Sequence, residues 1–280
     1  MEIKAYAKIN ISLDVVGKRE DGYHLLKMIM QSIDLYDVID IKAVDKGIRI
    51  ASDSKKIPND SRNIAYRAAK LFLDTYKIKS GVSIHIKKNI PVAAGLAGGS
   101  TDGAAVLKLL RKLFKPELTD NELINLGVKI GADIPFCIVG GTALCEGIGE
   151  KITVLKKLGN KILVLVKPEF GVSTKEVYMK YDGCKNVKHP DSTALIRAVN
   201  DGNFNFVVNN MVNVLENVTS SEYEDINKIK CKAMEYKALG SMMSGSGPTV
   251  FSFFKDNTLA QEYFNEMKKK YKQVFIVRTV

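Results

Sequence analysis

A glycine-rich stretch from residue 90 to residue 105 has the composition of an anion-binding loop. Its glycines, which include Gly98 and Gly99, allow the backbone to approach a ligand closely. The first N–H groups of a helix that follows such a loop point along the positive end of the helix dipole. Ser100 and Thr101 are expected to cap that helix, and their hydroxyls could also reach a phosphate or a metal ion. The alternative is a small-residue turn that only packs a helix closely against a sheet.

The segments on either side of this stretch support a strand, loop and helix arrangement. Residues 82–86 alternate in polarity and predict a strand, whereas residues 105–113 carry hydrophobic side chains at helical spacing. A P-loop is excluded because it needs a lysine before its hydroxyl residue, and no lysine lies near Ser100. A dinucleotide fingerprint is excluded because Ala97 stands where its second glycine is needed.

A second candidate for chemistry is Asp133, which follows a predicted helix. A capping box that begins at Thr119 opens this helix, and Gly131 is expected to end it. Pro135 is expected to hold Ile134 in an extended conformation, so that Asp133 lies at a rigid and partly desolvated junction. An aspartate at the negative end of a helix is unfavourable, and this local cost is a hint of function.

The N-terminal segment, residues 3–15, alternates in polarity and predicts a strand with one buried face. The hydrophobic residues expected on that face are Ile9, Ile11, Leu13 and Val15. Lys8 and Asn10 are expected on the opposite face, where an exposed lysine would be ordinary. Two further strands are predicted at residues 28–35 and 38–43.

Composition limits the class of protein. The net charge of +11 is compatible with a nucleic-acid binder or with an enzyme of polyphosphates, but the lysines are dispersed as on an ordinary solvated surface. The four cysteines form no Cys-x-x-Cys pair, and the three histidines form no cluster in the sequence. With no signal segment and no long apolar run, a cytoplasmic protein is expected.

Three motifs in order along the chain resemble those of the GHMP small-molecule kinases. They are Ala-Lys-Ile-Asn at residues 7–10, the stretch from Pro91 through Gly95-Leu96 to Ser100-Thr101, and Gly-Ser-Gly-Pro at residues 245–248. The resemblance implies an α/β (α+β) fold of two domains, with an S5-like N-terminal domain at residues 1–155 and a ferredoxin-like C-terminal domain at residues 156–280. It also implies an ATP-dependent kinase with Mg²⁺, acting as a monomer or homodimer without nucleic acid or membrane.

Within that family, the first motif, Asp-Gly-Tyr-His at residues 21–24 and Gly-Ala-Asp-Ile-Pro-Phe at residues 131–136 are similar to one branch. Its members phosphorylate the free 2-hydroxyl of a cytidine diphosphate-linked polyol in non-mevalonate isoprenoid biosynthesis. The resemblance implies that Asp133 accepts the hydroxyl proton and that Lys8 stabilises the transferred phosphate. The residues that it implies for substrate binding are Asn10, Tyr23, His24 and Tyr178. Those that it implies for ATP binding are Asn63, Lys88, Pro91, Val92, Ala93, Ala94, Gly95, Leu96, Ala97, Gly98, Gly99, Ser100, Thr101 and Asp102.

Two alternatives remain at this point. A homoserine or mevalonate-type kinase of the same family would share the ATP loop but should lack the pair Tyr23-His24. An S5-like basic RNA-binding protein would account for the charge, but it would need neither Lys8 and Asp133 together nor the complete loop. The residues leave the protein ligands of the metal undetermined.

Overall fold

Ten strands and ten helices make up the chain in a computed structural model that describes residues 1–280. The strands are β1 (Glu2–Lys18), β2 (His24–Val44), β3 (Ile48–Ser52), β4 (Gly81–Lys87), β5 (Thr142–Gly147), β6 (Lys151–Val154), β7 (Ile162–Lys167), β8 (Gly240–Met243), β9 (Val250–Phe254) and β10 (Gln273–Arg278). The helices are α1 (Ile64–Thr75), α2 (Gly98–Phe114), α3 (Asp120–Gly127), α4 (Ile134–Val139), α5 (Thr174–Tyr181), α6 (Ser192–Asp201), α7 (Phe204–Asn209), α8 (Glu216–Glu222), α9 (Asp225–Glu235) and α10 (Asn257–Lys268). The predicted mixed α/β class is confirmed.

The chain divides into two compact units, each built from separate stretches of sequence. Unit 1 comprises Met1–Ala7, Leu35–Val92 and Ala97–Gly140. Unit 2 comprises Lys8–Asp34, Ala93–Leu96 and Gly141–Val280. The domain boundary expected between residues 155 and 156 stays a prediction.

In unit 1, helices α1 to α4 accompany the second half of β2 and the strands β3 and β4. Strand β4 pairs antiparallel with β2 and parallel with β3. Alternate residues of β4, Val82, Ile84 and Ile86, pack in one hydrophobic core with buried side chains of α1 and α2, among them Phe72 and Leu110. This core holds the end of β4 and the start of α2, which border the glycine-rich stretch.

In unit 2, the first half of β2 pairs antiparallel with β5, and β5 pairs with β6. A separate antiparallel sheet has the strand order β10-β7-β9-β8. Helices α9 and α10 contribute Ile229 and Tyr263 to the hydrophobic core that contains Val164 of β7. The Gly-Ser-Gly-Pro motif at residues 245–248 lies in the loop that joins β8 to β9, which we call the second glycine-rich loop. None of the ten helices is long and apolar enough to cross a membrane.

Two strand predictions need correction. Between residues 7 and 14 strand β1 is buried on both faces, because its alternate polar residues Lys8, Asn10, Ser12 and Asp14 are inaccessible like the hydrophobic ones. The strands expected at residues 28–35 and 38–43 form one continuous strand, β2. Polar side chains inside a strand therefore do not mark an exposed face or a break here, because other elements cover them and bind them.

Candidate functional site

The glycine-rich stretch is half loop and half helix. Helix α2 begins at Gly98 and not near residue 105, so Gly99, Ser100, Thr101 and Asp102 lie in its first turns. The predicted caps are wrong: the N-cap is Ala97, in the left-handed conformation, and no side chain caps the helix. The hydroxyl of Thr101 instead donates to the carbonyl oxygen of Tyr6 at 2.8 Å. The helix therefore presents its first N–H groups without a side-chain acceptor, which suits an anion.

Three buried charged residues connect the two ends of this loop. Asp37 of β2, which is 0% exposed, accepts hydrogen bonds from the backbone N–H groups of Asn89 at 2.6 Å and Ile90 at 2.8 Å. Its second oxygen pairs with the Nζ of Lys88. Lys88 also pairs with Asp102 of α2 at 2.8 Å. We call Asp37, Lys88 and Asp102 the loop cluster.

The start of α2 lies directly against this cluster. A Cβ added to Gly98 would lie 3.0 Å from the Nζ of Lys88 and 3.1 Å from a methyl group of Ile90. A Cβ added to Gly103 would lie 2.9 Å from Ile64. These glycines therefore allow α2 to pack closely on its neighbours, as the turn-packing alternative required, and this close packing also positions the helix N-terminus.

The loop cluster has two carboxyl groups for one ammonium, and one carboxyl oxygen is left without a partner. The Oδ1 of Asp102 is buried without a hydrogen-bond partner. Burial raises the pKa of Asp102 to about 8, with Asp37 adding to the increase and Lys88 opposing it. An ionised carboxylate with a desolvated, unpaired oxygen is costly, which is why its neutral form is favoured.

Asn63, which the resemblance implied for ATP binding, has a local structural role. It is the N-cap of α1: its side-chain oxygen accepts from the N–H of Ala65 at 2.9 Å, and its amide donates to the carbonyl of Pro58 at 2.8 Å. Both the oxygen and the nitrogen of its side-chain amide therefore form hydrogen bonds to backbone groups close to Asn63 in the sequence. Its role in ATP binding stays a prediction.

In unit 2, Lys8 and Asn10 lie against the second glycine-rich loop. The Nζ of Lys8 donates to the side-chain oxygen of Asn10 at 2.7 Å. A Cβ added to Gly245, which has a φ of +59°, would lie 3.4 Å from that Nζ and 3.5 Å from that oxygen. Gly245 therefore leaves room beside two residues that the sequence singled out.

The same loop also holds the middle of the first glycine-rich stretch. The hydroxyl of Ser244 donates to the carbonyl of Gly95 at 3.0 Å, and a Cβ on Gly95 would overlap the carbonyl oxygen of Ser244. The side chain of Asn213 donates to the carbonyls of Met243 and Gly245, both at 2.8 Å. Sequence reasoning missed Asn213, which lies outside every motif.

His24 and Tyr178, expected to bind substrate, are neighbours. Their rings stack with centroids 4.9 Å apart, and Nε2 of His24 lies 2.6 Å from Oδ1 of Asp182. The other oxygen of Asp182 accepts from Lys18 at 2.6 Å. We call Lys18, His24, Tyr178 and Asp182 the histidine cluster. The hydrogen bonds from His24 and then Lys18 hold the pKa of Asp182 below its ordinary value.

Tyr23 does not join this stack. Its side chain is among the exposed large hydrophobic ones, at 62%, in the turn before β2. Asp182 was missed because it stands at the edge of a polar segment without a motif, at the C-cap of α5. Asp37 was missed as well, although an acid within the otherwise apolar run of residues 35–39 was a usable signal.

The expected setting of Asp133 is wrong in its details. Helix α3 ends at Gly127, before Gly131, and Asp133 is the N-cap of α4, which begins at Ile134 and has Pro135 in its first turn. Proline is tolerated there because its missing N–H needs no partner. Asp133, partly buried, therefore lies at the positive end of a helix, where a carboxylate is favoured.

The structure has no cluster of side chains with the composition of a metal site. No three His, Cys, Asp or Glu side chains come together in a group that could hold a metal ion. The donor set therefore does not fit a cation held by the protein alone. It is compatible with a Mg²⁺ that keeps waters and binds mainly to phosphate oxygens, as this ion commonly does.

Comparison with known proteins gives matches over nearly the whole chain. Residues 63–141 match the model of the GHMP kinases N terminal domain, and residues 185–273 match the GHMP kinases C terminal model. The chain is 71% identical over 280 residues to the 4-diphosphocytidyl-2-C-methyl-D-erythritol kinase of Clostridium acetobutylicum, covering 100% of both chains. It is 60% identical over 280 residues to the relative of the same name from Clostridium botulinum strain Alaska E43, again covering 100% of both.

Solved structures give the same fold. A crystal structure of 4-(cytidine 5'-diphospho)-2C-methyl-D-erythritol kinase superposes with a TM-score of 0.83 at 28% identity, covering 100% of this chain and 99% of that one. Homoserine kinase from Cytophaga hutchinsonii superposes with a TM-score of 0.77 at 20% identity, covering 100% and 95%. The second likeness shows the fold alone. The expected two-domain fold with N- and C-terminal GHMP regions is confirmed.

Proposed function

The chain belongs to the GHMP kinase family, and we propose that it transfers the γ-phosphoryl group of ATP to the free 2-hydroxyl of 4-diphosphocytidyl-2-C-methyl-D-erythritol. The observation that carries this proposal is the 71% identity, over the full length of both chains, with a relative of that name. The reaction belongs to non-mevalonate isoprenoid biosynthesis. A cytoplasmic location and a monomeric or dimeric state stay predictions.

Residues 91–102 bind the phosphates of ATP. Support comes from the α2 N-terminus, whose first N–H groups lack a side-chain acceptor, and from the close packing at Gly95 and Gly98. Phosphoryl transfer needs mainly positioning and stabilisation of charge on the transferred group, and backbone N–H groups supply both. A Mg²⁺ ion bound with the nucleotide would neutralise phosphate charge, and the hydroxyl of Ser100, in the first turn of α2, would be the side-chain group nearest at hand to hold it.

Asp133 accepts the proton of the attacking hydroxyl, and Lys8 stabilises the negative charge of the transferred phosphoryl group. Support for this role of Asp133 comes from its position as the N-cap of α4, at the positive end of the helix dipole. Lys8 is 4% exposed and is oriented by its hydrogen bond to Asn10, so its ammonium needs little reorganisation during the reaction. Asn10 orients Lys8 and also belongs to the substrate site.

The cytidine group binds at the histidine cluster with Tyr23. Because a carboxylate can only accept a hydrogen bond, Asp182 fixes the proton of His24 on Nε2. In the neutral ring Nδ1 is then an acceptor. The amino group of cytosine is a donor, whereas uracil has an acceptor at that position, so the cluster favours cytosine. The exposed ring of Tyr23 supplies an aromatic face for stacking.

The experiment is a phosphorylation assay with ATP and three acceptors: the cytidyl polyol, homoserine and mevalonate. We expect turnover of the cytidyl polyol at a kcat/KM at least about a hundredfold above the other two, because missing polar partners at a built site are strongly rejected. Preferred turnover of homoserine or mevalonate would leave the family intact and refute the substrate. ATP-independent retention of RNA without turnover would favour the nucleic-acid alternative.

A further inference from the structure

The loop cluster has no task in the mechanism above, although its three side chains are among the least accessible charged groups of the chain. The side chains of Asp37, Lys88 and Asp102 are 0%, 5% and 4% exposed. Burying ionisable groups is expensive unless each has partners, and such groups are retained where a defined geometry is needed. We propose that the loop cluster positions the ATP loop, and that Lys88 acts through the loop without touching the nucleotide. This inference rests on the proposed binding of ATP at residues 91–102.

Asp37 holds the entrance of the ATP loop. Asp37 binds the N–H groups of Asn89 and Ile90, the two residues immediately before Pro91. Two backbone hydrogen bonds to one buried carboxylate are charge-assisted, which makes them short and strong. They fix where the chain leaves β4 and enters the loop.

Lys88 holds the exit of the ATP loop, where α2 begins. Lys88 pairs with Asp102 in the second turn of α2, and its Nζ would lie only 3.0 Å from a Cβ added to Gly98, the first residue of the helix. Because the same ammonium also pairs with Asp37, one lysine joins both ends of the loop. The direction of the first N–H groups of α2 relative to the entrance therefore depends on this one cation.

The charge of Lys88 is balanced within the loop cluster. An ammonium beside the N-terminus of a helix is unfavourable by itself, because the helix dipole is positive there. Lys88 pairs with two carboxyl groups, and since Asp102 favours its neutral form, Asp37 alone balances the ammonium and the cluster adds no net positive charge for attracting ATP. The resemblance in sequence implied that Lys88 is a ligand of ATP. Its low exposure and two acidic partners instead favour a positioning role.

The two roles predict opposite results for Asp37→Asn. If Lys88 were a direct ligand, removing the charge of Asp37 would release the lysine, and ATP would bind as well as before or more tightly. In the positioning role, the asparagine amide opposes the ammonium, since both are donors, and the loop entrance shifts. We expect ATP affinity, measured by calorimetry, to fall at least tenfold, with the KM for ATP rising and the KM for the cytidyl polyol within twofold.

Asp40→Asn is the matched control, since Asp40 lies on the same strand, is partly exposed and pairs with the N-terminal amine. Its ATP affinity should match that of the wild type. If Asp37→Asn does not fold, Asp102→Asn is measured instead; it keeps the pair of Lys88 with Asp37 and should weaken ATP binding about threefold. A lower melting temperature with unchanged or tighter ATP binding would overturn the positioning role. Calorimetry needs no turnover, so failure to phosphorylate the cytidyl polyol would refute the substrate alone, whereas no ATP binding by the wild type would overturn both proposals.

Discussion

The loop cluster and the histidine cluster each combine acidic and basic side chains, but they differ in burial. In the loop cluster no side chain is more than 5% exposed. In the histidine cluster, Asp182 is 38% and Lys18 49% exposed, and the contacts include a stacked pair of aromatic rings. The first holds a backbone segment in place, whereas the second presents ring faces and polar edges to a ligand.

This difference in burial indicates how each cluster can serve its ligand. Buried ion pairs are costly to break, because removing one partner leaves an uncompensated charge. They suit a loop that must keep one geometry for phosphates. An exposed pair such as Lys18 and Asp182 contributes only about 0–1 kcal/mol, so this part of the histidine cluster can rearrange when a base binds beside the rings.

The largest expected effect falls on residues that belong to neither cluster. Asp133→Asn keeps the shape of the side chain and removes the proton acceptor, while Lys8→Met removes the cation. Each should lower kcat about a hundredfold or more, because a general base and a buried cation each contribute at least that much. Steady-state kinetics combined with melting curves check this. Turnover near that of the wild type in both variants would refute their catalytic roles.

The next effect sharpens the role of the histidine cluster. Tyr178→Ala and His24→Ala each remove a ring, and the cost of losing a stacking partner is about 1–3 kcal/mol in binding of a base. We expect the KM for the cytidyl polyol to rise accordingly. Tyr23→Ala tests the exposed ring in the same way. If the KM for ATP rises in these variants while the KM for the cytidyl polyol is unchanged, the rings bind ATP and not the cytidine group.

A smaller effect separates Asp182 from its two partners. Asp182→Asn weakens the hydrogen bond that fixes the proton of His24 and should reduce the preference for a cytidine over a uridine substrate by a few-fold, as exposed charged contacts contribute about 0.5–1 kcal/mol. Lys18→Met is the matched variant, because it removes the other partner of Asp182 and leaves His24 in place. Equal base preference in both variants would contradict an orienting role for Asp182.

The loop cluster also affects stability, through the protonation of Asp102. Burial raises the pKa of Asp102 to about 8, whereas the unfolded chain has an ordinary value near ~4. The folded state therefore binds the proton more tightly, so this stabilisation is present below about pH 4 and is lost as the pH rises through about 8. Relative to Asp102→Asn, the wild type should lose at least about 2 °C in Tm over this interval. Parallel curves of Tm against pH would show that Asp102 does not titrate in this way.

Much of the fold was accessible from the sequence because local patterns determine it. The alternation of residues 3–15 predicted β1, and the capping box at Thr119 and Glu122 predicted the start of α3, where both reciprocal hydrogen bonds form. The burial of Lys8 and Asn10 could not be predicted, because it depends on elements distant in the sequence that cover the polar face of β1.

The candidate site was predictable only in part, because many of its contacts join residues that are distant in the sequence. The stacking of His24 with Tyr178 joins residues far apart in the chain, and only the resemblance to a known family had assigned both residues to one substrate site. Asp37 and Asp182 were missed, since a single carboxylate in a strand or at a helix end carries no motif. Their roles come from partners that only the folded chain brings near them.

The most direct test of the two separate tasks is a pair of Michaelis constants measured in the same assay for Gly98→Val and Tyr178→Ala. Gly98 has no room for a larger side chain beside Lys88 and Ile90, so the valine should raise the KM for ATP about tenfold or more and leave that for the cytidyl polyol within about twofold. Tyr178→Ala should do the reverse, with a KM for the cytidyl polyol raised by the equivalent of about 1–3 kcal/mol. Both constants changing together in each variant would contradict the division of tasks between the two clusters.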